Sequence, residues 1–149
     1  MFIPRRTQYA LRAVFELCKR RGQGPVKIAV IAKCQDIPAR FLEVILGQLK
    51  QPGFIGSKRG NGGGYSIACE PADLTVGEVI GFLQGPVRPV GCSIDVSDQH
   101  CALHGNCVFL PMWEKIRLAI ADIYDNTTFQ DLVDADRERV SKRVLQYTI

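Results

Sequence analysis

Nothing in this 149-residue chain approaches the run of about 18 apolar residues that a membrane-spanning helix needs. The opening residues, Met1-Phe2-Ile3-Pro4-Arg5-Arg6-Thr7, also lack the apolar core of a signal peptide. We therefore expect a cytoplasmic chain with no membrane role. There is no internal repeat, and 46% hydrophobic with 23% charged residues is the balance of a globular domain, which excludes disordered and collagen-like classes. A single domain of this length buries roughly 68–70% of its unfolded surface, so a real core is available. Histidine is scarce, with two residues in the whole chain.

Charge is unevenly placed. Residues 1–75 hold 12 Lys and Arg against 5 Asp and Glu, a net +7, whereas residues 76–149 hold 7 against 10, a net −3. The basic half is a candidate polyanion-binding half, although a solvated charged face would show the same asymmetry.

Periodicity organises that half. Ala10, Ala13, Val14, Leu17 and Cys18 form a helical stripe that ends at Lys19-Arg20-Arg21-Gly22. After the turn Gly22-Gln23-Gly24-Pro25, a short helix carries Ile28, Ile31 and Ala32. A third helix follows from Pro38, at a first helical position, to about Lys50. Phe41, Leu42, Ile45, Leu46 and Leu49 make its inner face, and Arg40, Glu43, Gly47, Gln48 and Lys50 lie outward or flanking. Two short helices with a tight joint suggest helix-turn-helix.

Phe54-Ile55-Gly56-Ser57 and Tyr65-Ser66-Ile67-Ala68 flank the basic, glycine-rich Lys58-Arg59-Gly60-Asn61-Gly62-Gly63-Gly64, which predicts a β-hairpin. A phosphate-binding P-loop needs Lys-Ser/Thr after its glycines and then a helix, whereas here a strand follows. Thr75-Val76-Gly77-Glu78 is a capping box opening a helix with Val79, Ile80, Phe82 and Leu83, ended by Gly85-Pro86. No period is visible from Gly85 to Gly105. A strongly apolar helix then runs from about Leu110 to Tyr124, with Trp113, Ile116, Leu118, Ala119, Ile120 and Ile123, more than one neighbour can cover, which favours a subunit interface. Asn126–Val133 reads as a capped short turn or helix, and 134–149 as helical.

Six cysteines without a secretory context point to metal or redox use rather than disulfides. Cys18 and Cys34 among apolar helical positions, and Cys69 after a strand, read as small buried hydrophobes. Cys92, Cys101 and Cys107 share the aperiodic loop, and both histidines, His100 and His104, fall inside the same 16-residue window. Three soft thiolates on a glycine-containing loop can converge on one metal centre, with His100, His104, Asp95, Asp98 or another subunit as fourth ligand. Zinc ligation or a thiol switch remains an alternative use of the same cysteines. Cys101 beside His100, or Cys107 near His104, could also form a thiolate–imidazole pair, but no substrate pocket or oxyanion device is legible, so we expect no enzyme.

Tyr9-Ala10-Leu11-Arg12-Ala13, Phe41-Leu42-Glu43, Arg59-Gly60-Asn61-Gly62-Gly63-Gly64-Tyr65, Val76-Gly77-Glu78-Val79-Ile80 and the three-cysteine loop together make the chain resemble the Rrf-two superfamily of winged helix-turn-helix transcriptional regulators. The resemblance covers nearly the whole chain. It implies a mainly α fold with a small β-hairpin wing, divided into a winged helix-turn-helix domain (1–84), a cysteine-containing sensor loop (85–108), and a dimerisation helix with C-terminal segment (109–149). It also implies a homodimer on a palindromic double-stranded DNA operator, with the third helix in the major groove and the wing in the minor groove. Arg40 and Glu43 would then reach base edges, Arg59 and Asn61 would sit on the wing tip, and Lys50 and Lys58 would meet phosphates. By the same resemblance, Cys92, Cys101 and Cys107 would hold an iron-sulphur cluster, 2Fe-2S or 4Fe-4S, sensing iron-sulphur, redox or nitric oxide status. The histidine that one branch places three residues after the last cysteine is Leu110 here, and the first-helix carboxylate of another branch is Gln8. His104 or His100 is the expected fourth ligand.

Overall fold

A computed structural model of the chain describes residues 3–90, 102, 103 and 106–146. Its spine is α1 (Arg5–Lys19), which packs against each of the other layers of the core. The reason is the stripe at i, i+3, i+4 and i+7: Ala10, Ala13, Val14 and Leu17 are all buried, and the two alanines let neighbours approach closely. Gly22, at φ +82°, turns the chain away after α1.

Two short helices follow, α2 (Ile28–Gln35) and α3 (Ala39–Leu49). α2 is closed by Asp36 in the left-handed conformation, with Ile37 N–H bonded to the Ala32 carbonyl at 3.0 Å. Three residues therefore separate the helices, the tight joint of a helix-turn-helix. Pro38 is the N-cap of α3 rather than its first helical residue, because its ψ of 126° is extended. Leu42, Ile45, Leu46 and Leu49 are buried, but Phe41, expected on the inner face, is 47% exposed. The core-facing arc of α3 is too narrow to include it.

The wing is β1 (Ile55–Lys58) paired antiparallel with β2 (Gly64–Ile67), each beginning or ending within one residue of the expected bounds. Val26 adds a one-residue third strand by exchanging hydrogen bonds with Tyr65 at 2.7 and 2.8 Å. Gly64 is required there, since a Cβ would lie 2.4 Å from the Val26 carbonyl oxygen.

α4 (Val76–Gln84) opens on the expected capping box: Thr75 Oγ1 accepts from Glu78 N–H at 3.1 Å, and Glu78 Oε2 accepts from Thr75 N–H at 2.8 Å. Phe82, expected inside, is 40% exposed and meets the Phe54 ring edge to face at 5.9 Å. The last two helices are α5 (Leu110–Asp125) and α6 (Phe129–Gln146). α6 is one helix over what the sequence divides into a short capped piece and a separate helical tail. Thr128 and Asp131 cap it reciprocally, and no breaker follows. Its Phe129 and Val133 are buried in the same core as α1. The starts of α4 and α6 lie side by side, with Val76 N–H donating to Thr127 O and Phe129 N–H to Leu74 O, both at 2.9 Å. Gly77 gives this junction room, because a Cβ there would lie 3.2 Å from the Asp125 backbone nitrogen and would displace the Asp125 carboxylate. No helix of the described residues is long and apolar enough to cross a membrane.

Candidate nucleic-acid interface and sensor segment

The solvent face of α3 carries Arg40, Glu43, Val44, Gly47 and Lys50, all exposed. They are outward because Leu42, Ile45, Leu46 and Leu49 fix the opposite side in the core. The Arg40 guanidinium lies 4.8 Å from the Phe41 ring centroid, a cation–π contact that orients it along the surface. Beside Phe41, the first turn of α1 and α3 enclose a cleft of ≈ 500 Å³ lined by Arg5, Arg6, Tyr9, Phe41, Val44 and Ile45, among others. Arg6 reaches across to the Gln48 side-chain oxygen.

The hairpin tip presents Lys58, Arg59 and Asn61, all exposed. Gly60, at φ +103°, and the Gly63 N–H to Gly60 O bond at 3.0 Å close the turn. Gly63 is buried against the turn backbone, 2.2 Å from Lys58 O to where a Cβ would be, so no side chain thickens the tip. The result is a thin cationic wing in the same half of the chain as a cationic helix face. That pairing suits a groove flanked by phosphates.

Ion pairs and hydrogen bonds centred on α1 tie it to α2 and to α6. Glu16 is 3% exposed and accepts from Arg20 Nε at 2.5 Å and from Gln35 Nε2 at 2.7 Å, which ties α1 to the end of α2. Burial alone would push its carboxyl up, but the hydrogen bonds from Arg20 and Gln35 and the charges of Arg20 and Lys19 outweigh it and hold the group below the carboxylate range. Lys19 and Arg139 both bond Asp136 at 2.8 Å, which joins α1 to α6.

The cysteines separate physically. Cys18 is buried and burial pushes its thiol up to about 12, while burial also raises Cys69, which is half-buried. Neither is poised to react. Cys34, expected inside, is exposed, because it lies beyond the arc of α2 that faces the core; Arg20 Nη2 reaches its sulphur at 3.4 Å. Of the five candidate metal ligands, only Cys107 is among the described residues; Cys92, His100, Cys101 and His104 lie outside them. Cys107 is half-buried, its carbonyl accepting from Leu110 N–H at 3.1 Å, so it stands just before the amino end of α5. Among the described residues no three groups are placed to hold a metal.

The sequence reading misses Arg5, Arg6 and Val44 at this face and Thr7 behind it. Thr7 is 3% exposed, and its hydroxyl donates to Gln84 Oε1 at 3.0 Å. Val44 is detectable in principle, as it lies opposite the Leu42, Ile45, Leu46 and Leu49 stripe. Thr7 is not, since its partner lies 77 residues away.

Fold and surface together define a winged helix-turn-helix protein of the nucleic-acid-binding class. The Rrf2 family, described as an iron-dependent transcriptional regulator, matches residues 3–135, and the chain belongs to that family. It is similar to the HTH-type transcriptional regulator CymR of Bacillus subtilis, with 33% identity over 132 residues, 89% of each chain. The solved structure of B. subtilis CymR, described as the global cysteine regulator, superposes with a TM-score of 0.74 at 31% identity, covering 91% of this chain and 98% of that one. T. potens IscR superposes with a TM-score of 0.76 at 29% identity, covering 93% and 90%. The chain is thus an Rrf2-type transcriptional regulator, mostly helical, with a two-stranded wing.

Proposed function

We propose that the chain works as a homodimer that binds a palindromic DNA operator and changes its affinity through an iron-sulphur cluster on the 85–108 segment. The observation that carries the DNA-binding part is the joint exposure of Arg40 and Glu43 on α3 and Arg59 on the glycine-closed wing tip, in one basic half of the chain. In this reading α3 enters the major groove. Arg40 addresses guanine O6 and N7, Glu43 accepts from cytosine N4, and Lys50 and Lys58 meet phosphates. Arg59, with Asn61 beside it, enters the narrow minor groove.

α5 supports the dimer. It has no buried residue, yet Met112, Ile116, Ala119 and Ile123 fall at i, i+4, i+7 and i+11, one continuous stripe. The stripe points away from the side of α5 that carries Arg117, Ala121 and Tyr124 towards α4.

For the cluster, the donor chemistry fits: three thiolates, Cys92, Cys101 and Cys107, with His104 or His100 as fourth ligand, are the soft set such clusters take. Cys107 stands just before the amino end of α5, at the C-terminal edge of this segment. When bound, the cluster supplies a centre that reacts with oxidants or nitric oxide. The chain itself couples the segment to the DNA face. Gln84, the last residue of α4, is held by Thr7, and the neighbouring Arg6 holds Gln48 of α3, so the first turn of α1 touches both ends of the path.

In a second reading the cysteines bind zinc or act as a thiol switch without a cluster; the relative CymR is described as a cysteine regulator. One preparation distinguishes the two. Protein purified without oxygen should show visible charge-transfer bands with matched iron and acid-labile sulphide, lost in Cys107→Ala. Its operator affinity should differ between cluster-bound and cluster-free forms and fall steeply with salt, the slope dropping by about 2 per dimer in Lys50→Ala. A colourless protein that resists reconstitution refutes the cluster and leaves the zinc or thiol reading.

A further inference from the structure

Along the solvent face of α3, the residues at the centre are Arg40, Val44 and Gly47, at i, i+4 and i+7, with Phe41 and Glu43 at the edges. Two of the three central residues are poor choices for a free helix. Val44 is a β-branched apolar side chain 61% exposed to water, and Phe41 beside it is 47% exposed. Gly47 occupies the last turn of an 11-residue helix, where alanine would still be the more favourable residue. Its backbone does not require glycine, since its φ is not positive, and a Cβ there would meet nothing within 4 Å. The contrast with Gly77, whose Cβ would strike Asp125, is direct. Neither Val44 nor Gly47 is accounted for by packing among the described residues. Both are accounted for by a surface that removes water from Val44 and approaches the backbone closely at Gly47.

The surroundings identify that surface. Arg40 lies alongside, and Arg5 and Arg6 line the adjoining cleft, so the partner is anionic with an apolar feature. In the major groove only thymine offers one, its C5-methyl group. We infer that α3 reads a thymine in each half-site through Val44 and Phe41, next to the base pair addressed by Arg40 and Glu43, and that the missing side chain at Gly47 lets the helix seat deeply enough to make that contact. The inference rests on the DNA-binding reading above and adds to it the base that is read and the residues that read it.

The test uses the full-length protein and an operator recovered by selection from random-sequence duplexes. Each thymine is replaced in turn by deoxyuridine, which removes the methyl group alone. One position per half-site should weaken binding by about three- to fivefold with the wild-type protein, by about half of that factor with Val44→Ala, and not at all with the Phe41→Ala, Val44→Ala double variant, in which the methyl has lost both of its contacts. Gly47→Ala should move two readouts in opposite directions: the thermal midpoint rises, while operator affinity falls by at least about tenfold with an unchanged salt slope. Specific binding indifferent to every uridine, or Gly47→Ala binding like wild type, overturns the inference and leaves the DNA-binding reading intact. Absence of any sequence-specific binding by the wild type overturns both.

Discussion

Ile123 is the residue on which the proposed dimer is most sharply testable. It is 62% exposed in the single chain and lies in line with Met112, Ile116 and Ala119 on the face of α5 turned away from α4. Complete burial of an isoleucine side chain is worth about 1.5–3 kcal/mol, so covering the exposed part contributes about 1–2 kcal/mol. Truncation to alanine keeps one carbon and removes about 1 kcal/mol of that. In a two-fold symmetric interface the change occurs twice, giving about 2 kcal/mol per dimer, a roughly thirtyfold rise in the dimer dissociation constant. Sedimentation equilibrium over a concentration series, without DNA, measures it directly. Leu118→Ala is the control: Leu118 is 53% exposed but lies on a different side of α5, and its dissociation constant should stay within about twofold of wild type. Equal effects of the two substitutions, or a wild-type protein that is monomeric throughout, would refute the assignment of this stripe to the interface.

Two further predictions concern the scaffold. Glu16→Gln removes the charge that holds Arg20 and Gln35 and should cost about 1–2 kcal/mol, lowering the thermal midpoint by about 2–8 °C at neutral pH. The folded pKa of Glu16 lies below its ordinary 4.5, so its stabilisation is complete above that value and is lost as pH falls through the depressed one. Denaturant midpoints of wild type and Glu16→Gln should therefore converge on acidification; parallel curves would count against the ionic account. Gly77→Ala forces the Asp125 carboxylate aside and sets a methyl 3.2 Å from the Asp125 backbone nitrogen, so it should cost about 1 kcal/mol despite the better helix propensity of alanine, the opposite sign from Gly47→Ala. Thermal unfolding of the two variants side by side checks the pair of signs.

Most of the fold is legible because its determinants lie within a few residues of each other. The α1 stripe, the Thr75–Glu78 capping box, the Asp36–Pro38 joint and the glycine-rich hairpin are all patterns of spacing that local geometry then fulfils. Phe41 and Cys34 show where the same reasoning fails. Each is an apolar residue one helical step beyond a genuine core position, and period alone does not reveal how wide the covering surface is. The union of the two C-terminal segments into α6 was hidden for a related reason. Alternating charges over 134–143 give little apolar period, and the helix is anchored by Phe129 and Val133 at its start and by Lys19 on another element. At the candidate site, Arg40, Glu43, Arg59 and Asn61 announce themselves by type, whereas Thr7 and Gln48 act through partners far away in sequence.

The residues that resist an account within the chain therefore carry information of their own. Buried positions such as Leu42 or Phe129 are explained by neighbours, and Gly64 and Gly77 by the atoms a side chain would strike. Met112, Ile116, Ala119 and Ile123 on α5, and Val44 and Gly47 on α3, are left exposed among the described residues. A chain that met only water would be more stable with polar residues in the first set and an alanine at Gly47. These two sets lie on different helices and differ in chemistry: a long purely apolar stripe on α5, and a short apolar step between cations on α3. In the proposed reading the first meets a copy of itself, as an isologous interface demands, and the second meets a polyanion with methyl groups in its groove. Two external surfaces, each fitted to its own stripe, are what a dimeric regulator requires, and either set alone would call for only half of that arrangement.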